Sequence, residues 1–80
     1  MDKELLETLQ SIGLTDGESK TYLALLSIGT STVGSIIEKS GVSSSKVYMI
    51  LDKLIHKGLV SIVEPPVEVP IDHSAKYVLD

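Results

Sequence analysis

Five aliphatic residues, Val47, Ile50, Leu51, Leu54 and Ile55, recur at helical spacing between two glycines, Gly41 and Gly58. At about 100° per residue all five fall on one side of a helix, a stripe that has to pack against something. Ser43 is placed to cap its start, the hydroxyl accepting a backbone N–H of the first turn, and Gly58 stands where a left-handed stop belongs. The spacing therefore predicts a helix from Ser44 to Lys57. Before it, Val33, Ile36 and Ile37 give a smaller apolar face to a segment that Ser31 or Thr32 can cap and Gly41 can end. Only Val42 and Ser43 lie between Gly41 and the longer helix. So short a link forces a sharp crossing of two helices, the geometry of a helix-turn-helix.

The flanks supply the rest of one domain. Leu5, Leu6, Leu9 and Ile12 outline an amphipathic first helix that Gly13 ends, and Thr15 with Glu18 three residues later forms a capping box for the next. In that second helix, Asp16 to Ile28, the residues Tyr22, Leu23, Leu25 and Leu26 are expected on one side. After Gly58 the chain changes character: Leu59 to Val63 is a β-branched apolar run, Pro65 and Pro66 break it, and Ala75 to Leu79 is a second run. Pro70 keeps the alternating Val67, Val69 and Ile71 from forming a central strand. The expected fold is mainly α with a small β hairpin, a winged helix-turn-helix of about four helices and a two-stranded wing. It forms a single domain over residues 1–80, with the helix-turn-helix at about 32–57 and the wing at about 59–80. Without cysteine, tryptophan or phenylalanine, the core has to be aliphatic and unstapled.

Charge separates this central part from its surroundings. The chain carries a net −4, unusual for a surface that meets nucleic acid. Residues 1–29 hold two lysines against five acids, and residues 59–80 hold Lys76 against four, so each flank is net −3. Residues 30–58 hold Lys39, Lys46, Lys53 and Lys57 against Glu38 and Asp52, a net of +2. The proposed helix-turn-helix is the one positive block, and phosphate contact favours such a local concentration.

The segments IGLTDGESKTYLALLSIG, STVGSIIEKSGV, SSKVYMILDKLIHKGLV and KYVLD resemble, in that order and spacing, the N-terminal winged-helix domain of TrmB-like archaeal and bacterial transcriptional regulators. The similarity runs from about Leu5 to Leu79. It implies a sequence-specific DNA-binding transcriptional regulator whose second helix-turn-helix helix lies in the major groove, with Ser44, Ser45, Lys46, Tyr48 and Met49 in its first turns. The helical wheel agrees: Ser45, Met49, Asp52, Lys53 and His56 point away from the apolar stripe, with Lys46 and Tyr48 on opposite flanks. Serine hydroxyls and Lys46 reach phosphates or base edges, and the Tyr48 ring packs on sugar or a thymine methyl. Lys39, Lys53 and Lys57 are the expected backbone contacts.

Two departures from the family pattern stand out. Serines occupy positions 43 and 44, where relatives often carry proline and a basic residue, and the chain has no arginine, the usual bidentate reader of guanine. The wing from Glu64 to Asp72 carries three acids and no base, so its tip is not expected to touch DNA.

Each site residue also has a plainer reading. Tyr48 lies beside Ile55 on the wheel and fits a half-buried aromatic with a polar tip. Lys46, Lys53 and Lys57 fit a solvated helix face, and Lys57 suits the helix dipole without any ligand. A second function class follows from the acidic remainder: a winged helix used as a protein–protein interaction module that does not bind DNA.

Enzymatic activity is not expected. Ser43-Ser44-Ser45-Lys46 matches S-x-x-K, but the S-D-N and K-T-G partners that this chemistry needs are missing. Glu64 and Glu68 have no cleft to shift a pKa. With two histidines, His56 and His73, and no cysteine, no metal-ligand spacing exists and no cofactor is expected. No apolar run approaches a membrane span, and the charged start is not a signal sequence, which suits a cytoplasmic protein. The expected partners are double-stranded DNA and a second copy of the chain, since paired half-sites raise affinity. The first helix is the candidate dimer surface, and a small-molecule effector would act only through a further domain.

Overall fold

A computed structural model describes residues 3–63 and 76–80 of the chain. The two-stranded sequence reading gains a strand in it. Four helices, α1 (Lys3–Ser11), α2 (Asp16–Ile28), α3 (Val33–Ser40) and α4 (Ser44–His56), are joined by strands β1 (Ser31–Thr32), β2 (Val60–Val63) and β3 (Lys76–Leu79). The strands form an antiparallel sheet in the order β1-β3-β2. The expected loop from Glu64 to Asp72, with His73, its prolines and its acids, lies outside the described residues.

β1 corrects the expectation that Ser31 or Thr32 caps α3 with its side chain. Thr32 does sit at the N-cap, but its hydroxyl makes no cap hydrogen bond. Both residues instead extend and pair with β3, Ser31 opposite Tyr77 and Thr32 opposite Lys76. Their β-region backbone serves both ends at once, since an N-cap residue is extended anyway. Hairpin pairing sets Val60 against Leu79 and Ile62 against Tyr77, so these four side chains share one sheet face. Val60 is buried there, and Tyr77 and Leu79 pack on the core.

α2 is the centre of the bundle, packed on α1, α3, α4 and β3. Its capping box forms as expected: Thr15 Oγ1 accepts from the Glu18 N–H at 3.1 Å, and the Glu18 carboxylate accepts from the Thr15 N–H at 2.8 Å. The expected apolar side is only partly right. Leu23 and Leu25 are buried and Tyr22 is half-buried, but Leu26 is exposed, while Ser19, Thr21 and Ala24 are fully enclosed. A helix with neighbours on several sides needs small side chains where they approach, and hydropathy cannot register that requirement.

Four of the five stripe residues of α4 are the core as expected, Val47, Ile50, Leu51 and Leu54 buried against Val33, Ile36 and Val42, and Ile55 is only partly buried beside them. Fully burying each such side chain is worth about 1.5–3 kcal/mol. The α3–α4 link runs through Gly41, the left-handed cap of α3, with Val42 buried as the hinge pin between the helices. At the far end α4 stops one residue earlier than expected. Gly58 takes φ +77, its N–H bonding Ile55 O at 3.0 Å and the Leu59 N–H bonding Leu54 O at 2.9 Å. This paired closure requires a left-handed residue at Gly58 and turns the chain into β2.

α1 is amphipathic but marginal. Leu9 packs against the core and Leu6 is half-buried, yet none of its residues is fully buried, and Ile12 just beyond it is 69% exposed. Among the described residues no helix is long and apolar enough to cross a membrane.

Candidate nucleic-acid interface

Packing α4 through its apolar stripe leaves the opposite face in solvent. Ser44, Ser45, Lys46, Asp52, Lys53 and His56 are all exposed, with Met49 at 55% and Tyr48 at 46%. The helix start is also more open than expected. Ser43 is the N-cap, but its hydroxyl makes no cap hydrogen bond; it lies 3.3 Å from the Ser45 hydroxyl instead. The Lys46 N–H bonds the Ser43 carbonyl at 3.0 Å, and the Ser43 side chain covers neither the Ser44 nor the Ser45 N–H, which leaves those two to solvent or to an incoming acceptor.

The two flanks of this face differ. Lys46 and Lys53, a helical flank apart from Tyr48, line a concave surface of about 600 Å³ together with Met49 and the start of α2, including Asp16, Gly17 and Lys20. Gly17 lies where the two walls meet, and a Cβ there would come within 2.7 Å of Ile50 Cδ1. On the other flank Tyr48 approaches the wing. The Tyr77 phenol has its pKa raised, first by burial and then by the nearby Tyr48 phenol. Tyr48 thus lies near the sheet, and at 46% exposure its ring is not enclosed by the core.

The lysines named from the sequence do not form one cluster. Lys46 and Lys53 share the concavity, and among the described residues neither has a carboxylate within 4.0 Å. Lys39 lies elsewhere, in a shallow depression with Ser31, Ser35 and Glu38. Lys57 is exposed but already paired, its ammonium 3.0 and 3.2 Å from the two oxygens of Glu18. Glu18 is only 2% exposed. Burial raises its pKa, but the Thr15 hydrogen bonds and Lys57 outweigh burial and hold the carboxyl below the ordinary glutamate range. One carboxylate thereby caps α2 and anchors the end of α4.

Two residues escaped the sequence reading. The net charge of residues 1–29 hides Lys20 within an acidic block, although the capping box at Thr15 fixes the register of α2 and places it one turn after Asp16. For Glu18 the sequence pattern indicates a cap, and no local signal links it to a lysine thirty-nine residues away. His56 turns its ring to Asp52, with Nδ1 2.8 Å from the Asp52 carbonyl oxygen and 3.6 Å from its carboxylate. Among the described residues no group of histidine and acidic side chains is arranged to hold a metal ion.

Known proteins share both sequence and shape with this chain. HTH-type sugar sensing transcriptional regulator TrmBL1 of Pyrococcus furiosus is 40% identical over 63 residues, covering 79% of this chain and 18% of that protein. Uncharacterized protein YrhO of Bacillus subtilis is 38% identical over 73 residues, covering 89% and 26%. The chain thus spans about a fifth to a quarter of these relatives. Among solved structures, Bordetella bronchiseptica BpsR, studied for regulation of its DNA binding by 6-hydroxynicotinic acid, superposes with a TM-score of 0.74 at 14% identity, over 98% of this chain and 60% of that one. Disulfide-formed AbfR gives 0.72 at 20% identity, over 95% and 54%. Both likenesses are of fold, a winged helix. The family described as sugar-specific transcriptional regulator TrmB matches residues 9–78, and the chain belongs to that family.

Proposed function

We propose that this domain is the sequence-specific DNA-binding part of a transcriptional regulator, with α4 in the major groove. The observation that carries the reading is the start of α4: an exposed, uncapped first turn bearing Ser44, Ser45, Lys46 and Met49, backed by a core that fixes its orientation. Uncovered N–H groups and the positive end of the helix dipole favour a phosphate there. Ser45 and Met49 are the base-facing side chains, Ser44 and Lys46 border them, and Tyr48 contacts sugar or backbone from the wing side. Lys53 and Lys39 serve the backbone. Lys57 contributes less than its charge suggests, because Glu18 already holds it. A homodimer on paired half-sites is part of the proposal. So is an effector bound through the parts of its longer relatives that this chain does not span, one of which is described as sugar sensing.

A salt titration of affinity for duplex DNA tests this reading against that of an interaction module. The expected log K falls with log salt at about −0.9 per neutralised phosphate. Lys46→Ala is expected to reduce that slope by roughly one phosphate and to weaken binding severalfold with the melting temperature unchanged. Binding no tighter to any selected duplex than to random DNA would remove sequence specificity, and no binding to either at low salt would favour the interaction module.

A further inference from the structure

The concavity between the start of α2 and the basic flank of α4 has no role in the scheme above beyond Lys46 and Lys53. We propose that it seats the phosphate backbone of the DNA strand bordering the major groove, with Lys20 of α2 as an additional phosphate ligand and Asp16 as the competitor that strand must displace. The proposal rests on the DNA-binding reading and extends it to a helix outside the helix-turn-helix.

Three ammonium groups and one carboxylate line the surface: Lys20, Lys46 and Lys53 against Asp16. Its net charge is +2 within a domain of net −4, so a polyanion gains there what the rest of the molecule denies it. Lys46 and Lys53 lie seven residues apart, about 10 Å along the helix at ~1.5 Å per residue. One DNA strand carries a charge every ~3.4 Å of axis, so this spacing suits an extended strand rather than a single small anion. The volume of about 600 Å³ accommodates more than one phosphate group. Gly17 lines the surface between the two helices, where α2 meets the Ile50 side chain of α4.

Lys20 is held loosely. Its ammonium lies 2.9 Å from Asp16 Oδ2 in an exposed pair one helical turn apart, and Asp16 Oδ1 accepts a second hydrogen bond from Gln10 Nε2 at 3.1 Å. Exposed pairs of this kind are weak and screened by salt. A phosphodiester entering the concavity takes Lys20 from Asp16, while Gln10 keeps the carboxylate satisfied. Asp16 then remains as a nearby negative charge, which lowers the affinity of the seat without closing it.

Opposite effects on the two partners test the arrangement. With a random-sequence duplex at low salt, Lys20→Gln should weaken binding severalfold and lower the salt slope by about 0.9, Lys20→Arg should restore both, and Asp16→Asn should strengthen binding severalfold. The effects should be uniform across duplex sequences, because the contact is to backbone. If Lys46→Ala weakens binding but neither Lys20→Gln nor Asp16→Asn changes it, the seat is wrong while the DNA-binding reading stands. If the wild-type protein binds no duplex, both fall. If inorganic phosphate displaces the duplex beyond the effect of chloride at matched ionic strength, and Lys20→Gln abolishes that excess, the surface is a small-anion site and the strand is not its occupant.

Discussion

The two ends of α4 use the same residue type to opposite purposes. At the start, Lys46 stands without an acidic partner among the described residues, on a turn whose N–H groups no side chain covers. At the end, Lys57 is clamped to a buried carboxylate and the backbone is closed by a paired left-handed stop. A lysine pattern on a helix therefore says little until its acids are located in space. The locked end fixes where the open end points, because Glu18 ties the last turn of α4 to the first turn of α2, the same turn that borders the concavity beside Lys46.

This contrast is open to direct attack, and the largest effect is expected at the locked end. Lys57→Met leaves Glu18 buried without its cation and should cost about 1–2 kcal/mol of stability, less than for a fully buried pair because Lys57 reaches solvent. DNA affinity per folded molecule should stay nearly constant. Denaturant unfolding alongside a binding curve separates the two, and a large loss of affinity with unchanged stability would return Lys57 to the interface. Acidity probes the same contact. Glu18 has a folded pKa below its unfolded value of ~4.3, so its contribution is fully present above that value and is lost as pH falls through the lowered folded pKa. The drop in melting temperature across that acidic window should shrink in Glu18→Gln, which has no carboxyl to protonate.

A smaller effect is expected at the flank between the ends. Tyr48→Ala should lower stability by about 1 kcal/mol, through lost packing at the junction with the sheet, and weaken DNA binding as well. Tyr48→Phe should recover the stability. If Phe also recovers the binding, the hydroxyl contributes nothing to DNA; if Ala unfolds the domain, Tyr48 belongs to the architecture and leaves the interface. The smallest change concerns the helix on which both ends rest. Thr21 Oγ1 is enclosed with no hydrogen-bond partner among the described residues. Thr21→Val should therefore be neutral or stabilising by up to about 1 kcal/mol in a thermal melt, and destabilisation would reveal a bond to the hydroxyl.

Periodicity and punctuation made α4 legible from the sequence, since Val47, Ile50, Leu51 and Leu54 do pack inward and Gly58 does stop the chain. The capping box was equally readable, because Thr15 and Glu18 are three residues apart and act locally. What escaped were features decided by distance in space. Ser31 and Thr32 make a strand only because β3 lies beside them. Ser19 and Thr21 are core residues only because several elements converge on α2. For the candidate interface, the exposed face of α4 followed from its apolar stripe by subtraction. Which lysines gather beside it did not, because Lys20 reaches that surface from another helix and Lys57 is withdrawn from it by Glu18.

The position of β3 in the sheet carries a consequence for how the domain is made. The middle strand of the three is the last in chain order, so among the described residues neither β1, which leads directly into α3, nor β2, which leaves α4, has a strand neighbour until residues 76–79 have been synthesised. A chain emerging N-terminus first can form its helices early from local contacts, but the sheet must wait for its final strand. The start of α3 and the exit from α4 are thus stitched together in a single late step, and the helix-turn-helix is held at both ends only once the whole domain is present.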